Sequence, residues 1–277
     1  MIKKIIHVSD IHIRNLTRLD ESKECFDRFI EECAKIIEQE GGPEFVRICV
    51  CGDIFESHIT ISNEATACCL YFFRKLNELG CKVYVVAGNH DYSRGNVERL
   101  DSLSPIFAIA NFDNIIYMDK ALDYESGCIA DENVVFCLFS TFSNFTRPDI
   151  DSWKILAPQS KKVGIIHGDI NGAVTYSGIK SDKGVDTNVF KGLDFVMAGH
   201  IHKFQELKKG KVKIVYSSSL IQQNFGETIS GHGFVVWNVE DDTYEFRELP
   251  NEDRGFYKVE LNKIDDLDED KEVFLNL

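Results

Sequence analysis

The chain has no long hydrophobic run. Of its 277 residues, no apolar stretch approaches the ~20 needed to cross a bilayer. The opening Met1-Ile2-Lys3-Lys4-Ile5-Ile6-His7 reaches charge too soon for a signal peptide, so the sequence predicts a cytoplasmic protein with no membrane partner. Basic charge is also short: 31 Lys and Arg stand against 45 Asp and Glu, a net charge of −14, which argues against a broad basic surface that holds nucleic acid. The nine cysteines include no C-x-x-C pair, so zinc-finger and thioredoxin-like chemistry is excluded. Cys49, Cys51, Cys68, Cys69 and Cys81 lie in apolar runs and read as buried, reduced thiols. No linker rich in Gly, Ser or Pro interrupts the chain before Pro250, and no repeat stands out. This predicts one domain over 1–250. The remainder, 251–277, is acidic through Asp265-Asp266-Leu267-Asp268-Glu269-Asp270-Lys271-Glu272 and reads as a solvated turn or the start of a truncated capping region.

What is present is a globular balance, 44% hydrophobic and 27% charged, arranged as short β-branched runs alternating with stretches of helical period. Strands are expected over Ile2 to Val8, Val46 to Cys51, Lys82 to Ala87, Ile115 to Tyr117, Val134 to Phe139, Val163 to Ile166, Phe195 to Ala198 and Val212 to Tyr216. Phe234 to Val239 and Tyr244 to Leu249 read as an antiparallel hairpin. Helices are expected from Glu21 to Glu40, stopped by Gly41-Gly42-Pro43, from Asn63 to Leu79, closed by Gly80, and from Val97 to Ala110. The order predicts an α/β sandwich of four layers (αββα), with two mixed sheets flanked by helices.

Chemistry collects where the strands end. Asp10-Ile11-His12, Gly52-Asp53, Gly88-Asn89-His90-Asp91, His167-Gly168 and Gly199-His200-Ile201-His202 each follow an expected strand, and the loops beyond strand carboxyl ends gather at one sheet edge. Five of the eight histidines fall in these clusters. Carboxylate, imidazole and amide oxygen without thiolate suit a catalytic Mn²⁺, Fe²⁺ or Zn²⁺ site better than a structural zinc. Asp10, His12, Asp53, Asn89, His167, His200 and His202 are seven candidate ligands, too many for one ion and enough for two that share a carboxylate. The glycines before Asp53, Asn89 and His200 permit sharp turns and close backbone approach. His7 reads as a strand residue, His58 as part of a polar loop and His232 as part of a turn.

The ordered set D-x-H, G-D, G-N-H-D, H and G-H-x-H resembles the calcineurin-like metallophosphoesterase superfamily. The resemblance implies that Asp10, His12, Asp53 and His202 hold one metal, and that Asp53, as the bridge, holds the other with Asn89, His167 and His200. The expected cofactors are two divalent ions, with Mn²⁺ ahead of Mg²⁺, Fe²⁺ or Zn²⁺. His90 would protonate the leaving oxygen or steady the phosphate, Asp91 would fix its tautomer, and a metal-activated hydroxide would attack phosphorus in line.

Further segments resemble the SbcD subunit of SbcCD-type DNA repair nucleases, above all its phage and large-virus recombination counterparts. They are Ser9 to Arg14, Gly88 to Asp91 with Arg99 to Ile106, and Tyr216-Ser217-Ser218-Ser219-Leu220-Ile221-Gln222-Gln223-Asn224-Phe225-Gly226-Glu227. The likeness implies a nuclease, exonucleolytic on duplex ends and endonucleolytic on single strands, that serves repair, recombination or replication in a bacterial or virus-infected cell. Its implied partners are DNA, an SbcC-like ATPase and a second copy of the chain, with a helical dimer contact over Asn63 to Leu79 and Val97 to Ala110. Glu56 stands where related chains carry a further histidine. Two cations against Asp10 and Asp53 would make the pocket locally positive within an acidic chain, which predicts weak DNA capture by the chain alone. Arg14, Arg18 and Arg94 are minor candidates for phosphate contact. The alternative reading is a phosphatase or small-molecule phosphodiesterase of the same superfamily.

Overall fold

A computed structural model describes residues 1–93, 95, 99–208, 212–251 and 254–257. In chain order the strands are β1 (Lys4–Val8), β2 (Val46–Cys51), β3 (Lys82–Val86), β4 (Ile115–Tyr117), β5 (Gly127–Asp131) and β6 (Val134–Phe139). They continue with β7 (Lys161–His167), β8 (Phe195–Gly199), β9 (Gln205–Lys208), β10 (Lys213–Tyr216), β11 (Gly233–Asn238) and β12 (Thr243–Glu248). The α-helices are α1 (Leu19–Glu40), α2 (Asn63–Glu78), α3 (Ser104–Ala110), α4 (Met118–Ala121) and α5 (Ile150–Leu156).

Two six-stranded sheets form, ordered β12-β11-β1-β2-β3-β4 and β5-β6-β7-β8-β10-β9. In the first, β1 to β4 run parallel and the β11–β12 hairpin closes one edge antiparallel; in the second, β6, β7, β8 and β10 are parallel between antiparallel edges. Strand alternation divides the core. Ile48 and Val50 of β2, like Val83 and Val85 of β3, pack with α1 and α2, whereas Cys49, Cys51, Tyr84 and Val86 meet Phe136, Val163, Ile165 and Met197 between the sheets. Trp237 stacks on Phe195 across that interface at 4.1 Å between centroids. A third cluster joins the outer face of the second sheet to Ile150 of α5. The layers are therefore helix, sheet, sheet and helix, as the sequence predicts.

Local chemistry sets the helix limits. Gly41, at φ 97°, ends α1 with its N–H on the Glu38 carbonyl, and Ser62 caps α2 by accepting from Ala65 N–H. The helix expected from Val97 is shorter. It begins at Ser104, because Asp101 accepts from the N–H groups of Leu103 and Ser104 and Pro105 fits only a first turn. Residues 97 and 98 lie outside the described residues, as do Arg94 and the acidic run 265–272. All nine cysteines are free thiols, and all but Cys128 are buried. Among the described residues, no helix is long and apolar enough to cross a membrane.

Candidate metal centre

Because β1, β2 and β3 are parallel neighbours in one sheet and β7 and β8 in the other, their carboxyl ends meet at one edge of the sandwich. All five clusters lie there. Three groups offer donor atoms within 4.8 Å of one another: Asp10 with His12 and His202, Asp53 with His167 and His200, and His12 with Glu56 and His90. The first two each contain three of the four residues expected at one metal, without Asp53 in the first and without Asn89 in the second. His12 Nε2 lies 2.9 Å from His202 Nε2 and 3.9 Å from Asp10 Oδ1, and Asp53 Oδ2 lies 3.7 Å from His12 Nε2 and 3.1 Å from His167 Nε2. One oxygen of Asp53 thus faces both groups.

The backbone is bent to achieve this. Asp10 (φ 55°), His12 (φ 49°), Asp53 (φ 53°) and His200 (φ 101°) all occupy the left-handed region, where a side chain with a Cβ is unfavourable and where functional sites concentrate strain. Gly52, at φ 88°, passes so close to the His167 ring that any Cβ there would collide with it.

The remaining polar atoms of these side chains are tied back. Asp53 Oδ1 accepts the His90 backbone N–H at 2.8 Å, and Asp10 accepts the His200 backbone N–H and the Ser9 hydroxyl. His167 Nδ1 donates to the Cys51 carbonyl at 2.7 Å, which turns Nε2 toward Asp53. His202 Nδ1 pairs with Glu227 Oε1 at 2.9 Å, and Glu56 Oε2 lies 2.8 Å from His12 Nδ1. Asn89 Oδ1 is buried with no hydrogen-bond partner among the described residues. An orphaned acceptor is costly to bury, and this one suits a cation. Donor atoms 2.9–3.9 Å apart also suit ligands that share an ion at bonds of about 2.0–2.2 Å, so the residues fit two divalent cations.

Burial disfavours the Asp53 carboxylate, but His167 and then His12 and His90 outweigh it and hold its pKa well below the usual range. Burial likewise pulls His167 down, yet Asp53 raises it to about 9. Burial and the charge on His167 push His200 down to about 4, leaving a neutral imidazole. Burial opposes protonation of His202, but Glu227 raises its pKa.

Asp91 departs from expectation. It accepts the backbone N–H groups of Gly88, Ile54 and Phe55 and does not reach the His90 ring, whose Nδ1 instead meets the Glu56 carbonyl at 2.5 Å. Burial, then the nearby Asp53, raises its pKa to about 7 against those three bonds. Asp91 fastens the loop after β2 to the loop after β3, and the tautomer of His90 is set by a main-chain oxygen. Arg14 and Arg18 are also engaged elsewhere: Arg14 donates to the Gln223 carbonyl, and Arg18 to Glu21 and the Gln222 carbonyl. His7 is fully buried, and His58 packs edge-on to His90 at 5.9 Å. His232 is buried between the Ser219 hydroxyl and the Thr228 carbonyl, a firmer role than a turn. Glu56 and Glu227 escaped sequence reasoning as histidine partners, because a lone glutamate in a loop carries no spacing signal.

A model of the calcineurin-like phosphoesterase family matches residues 3–204. The chain is 37% identical over 267 residues to the uncharacterized protein R555 of Acanthamoeba polyphaga mimivirus, a match that covers 94% of this chain and 19% of that protein. It is 23% identical over 202 residues to exonuclease subunit 1 of Enterobacteria phage T4, covering 72% of this chain and 54% of the relative. It is 26% identical over 266 residues to the SbcD subunit of the nuclease SbcCD from Staphylococcus epidermidis, covering 86% and 66%. The chain therefore spans about a fifth of the first relative's length and about half of the second's. Among solved structures, a dimetal phosphatase from Danio rerio shares the fold at a TM-score of 0.51 and 13% identity, over 86% of this chain and 93% of that one.

Proposed function

The chain belongs to the calcineurin-like phosphoesterase family, and from that premise we propose that it is a metal-dependent DNA nuclease of the SbcD kind. Asp10, His12, Asp53 and His202 would hold one divalent cation, and Asp53, Asn89, His167 and His200 a second, with Mn²⁺ the expected ion at both. Such ions, when bound, neutralise phosphoryl charge and activate a water nucleophile. The chain's own groups orient the rest. His90 donates from Nδ1 to the Glu56 carbonyl, so its Nε2 is the nitrogen that can take up a proton and deliver it to a leaving oxygen. Its main-chain N–H on Asp53 fixes that ring relative to the shared carboxylate.

The observation that carries the nuclease reading, beyond phosphoester hydrolysis, is the attachment of the Ser219-to-Glu227 loop to the site. This segment is the most SbcD-like part of the sequence outside the ligands. Glu227 meets His202 directly, and Arg14 and Arg18 grip the loop carbonyls of Gln223 and Gln222. The nuclease names of the phage T4 and Staphylococcus epidermidis relatives support the same reading.

We assign the phosphoesterase domain to 1–250 and leave 251–277 as a C-terminal segment. DNA, an SbcC-like ATPase and a second copy of the chain are the proposed partners, and the proposed setting is the cytoplasm of a bacterial or virus-infected cell. The homodimer contact is expected on α2 and α3, beside the exposed Leu100 and Ile109.

The test is purified protein with Mn²⁺, Mg²⁺ or chelator on labelled linear duplex, circular single-stranded DNA and p-nitrophenyl phosphate. The reading expects Mn²⁺-dependent cleavage of both DNAs, abolished by chelation. Hydrolysis of the small ester with DNA untouched would instead establish the phosphatase alternative.

A further inference from the structure

Beside the ligand His200, on the second-sheet side of the centre, lies a cavity of about 320 Å³ lined by Phe145, Gly168, Asp169, Lys183 and Gly184. It is built by two segments that the hydrolytic chemistry does not require. The first is the loop after β6. Asn144 (φ 51°) and Phe145 (φ 58°) are consecutive left-handed residues, an arrangement unfavourable for side chains with a Cβ, and it is held by the Phe145 N–H on the Ser140 carbonyl at 2.9 Å. The ring lies against Gly168, where a Cβ would come 2.7 Å from its Cζ. The second is the segment around Lys183. Val185 N–H donates to the Asp169 carbonyl, Asn171 N–H to the Val185 carbonyl, and the Ser181 hydroxyl to Asp169 Oδ2, so the segment is pinned to the chain leaving β7. Asp169 Oδ1 is buried without a hydrogen-bond partner among the described residues.

An aromatic ring and a cation thus share one cavity next to a candidate metal ligand. A nucleotide engages both: its base stacks on the aromatic ring and the adjoining phosphate takes the ammonium. We propose that this cavity is a nucleobase subsite. It takes the base beside the scissile phosphate from a single-stranded segment, stacked on Phe145, with Lys183 at the neighbouring phosphate. The proposal rests on the nuclease reading and deepens it. A base in an intact duplex cannot enter without unstacking, so the subsite favours single strands and frayed ends.

Phe145 also packs against the core of the second sheet, so the test must separate stacking from packing. Phe145→Leu keeps apolar bulk without a π face, and Phe145→Tyr keeps the face. Binding of a single-stranded oligonucleotide with one 2-aminopurine is followed by fluorescence quenching in chelator. Cleavage with Mn²⁺ is then compared on an intact oligonucleotide and on one with an abasic residue beside the scissile phosphate. Phe145→Leu should bind about tenfold more weakly and lose the quenching, and Phe145→Tyr should stay within about twofold of the parent. The abasic substrate should cost the parent about tenfold in kcat/KM and cost Phe145→Leu nothing further. Three outcomes overturn the subsite: a Phe145→Leu variant that binds and quenches as the parent does, equal losses in the Leu and Tyr variants, or an abasic penalty that adds in full to Phe145→Leu. A parent that quenches the probe yet cleaves no DNA with Mn²⁺ would overturn the nuclease reading and leave the subsite standing.

Discussion

Glu227 accepts from His202: its Oε1 lies 2.9 Å from Nδ1, which turns the other imidazole nitrogen toward Asp10 and His12. A carboxylate behind a ligating histidine fixes its tautomer and raises its basicity, and loss of such a partner typically costs 10- to 100-fold in metal affinity. Glu227→Gln keeps an oxygen for the Gln223 N–H but removes the charge. It is expected to weaken Mn²⁺ binding roughly tenfold in calorimetric titration while the melting temperature without metal changes little.

In the proposed mechanism His90 contributes a proton rather than a metal bond. His90→Ala should retain both metal ions by elemental analysis and lose roughly 10²- to 10⁴-fold in kcat, with KM little changed. Unchanged turnover would remove His90 from the mechanism.

Gly52 is a tight crossing between the two sheets. Its φ of 88° and the His167 ring beside it leave no room for a methyl group. Gly52→Ala is expected to destabilise the fold by about 1–3 kcal/mol in urea denaturation and to weaken the second metal set by displacing His167.

Arg47 and Asp131 form a buried ion pair at 2.6 Å, with Lys82 and the Tyr84 hydroxyl on the same carboxylate. Burial raises the Asp131 pKa, but Arg47, Lys82 and Tyr84 outweigh it and bring the group to about 2. Because the folded value lies below the unfolded one near 3.9, this carboxylate stabilises the fold above about pH 4, and that stabilisation is lost as pH falls toward 2. Urea midpoints should drop across that window, and the drop should shrink in Asp131→Asn. Arg47→Ala, which leaves the carboxylate with Lys82 and Tyr84 alone, should cost about 1–3 kcal/mol near neutral pH.

The sequence revealed the fold and the convergence of the site where physical signals are strong. Central strands such as Val46–Cys51 and Val134–Phe139 are buried on both faces and read as short apolar runs rich in β-branched residues, interrupted only by Arg47. Edge strands are not. Gln205–Lys208 is polar and Gly127–Asp131 half-exposed, so β5 and β9 carried no pattern to detect. The histidine and aspartate clusters were legible because each follows an expected strand, where their side chains converge. The partners of those histidines were not, since a main-chain carbonyl such as that of Cys51 or Glu56 has no sequence signature. Asp91 illustrates the limit: adjacency to His90 suggested a side-chain pair, but the turn directs its carboxylate to three backbone N–H groups instead.

The chemistry proposed for this chain depends on Asp53 standing between two cations. An anomalous difference map at the manganese edge, from crystals grown with Mn²⁺, tests it without recourse to activity. Two peaks are expected about 3.5–4 Å apart, both beside the Asp53 carboxylate, one toward His12 and His202 and the other toward Asn89, His167 and His200. A map with no peak at Asp53, or with manganese only at other residues, would refute the two-metal centre.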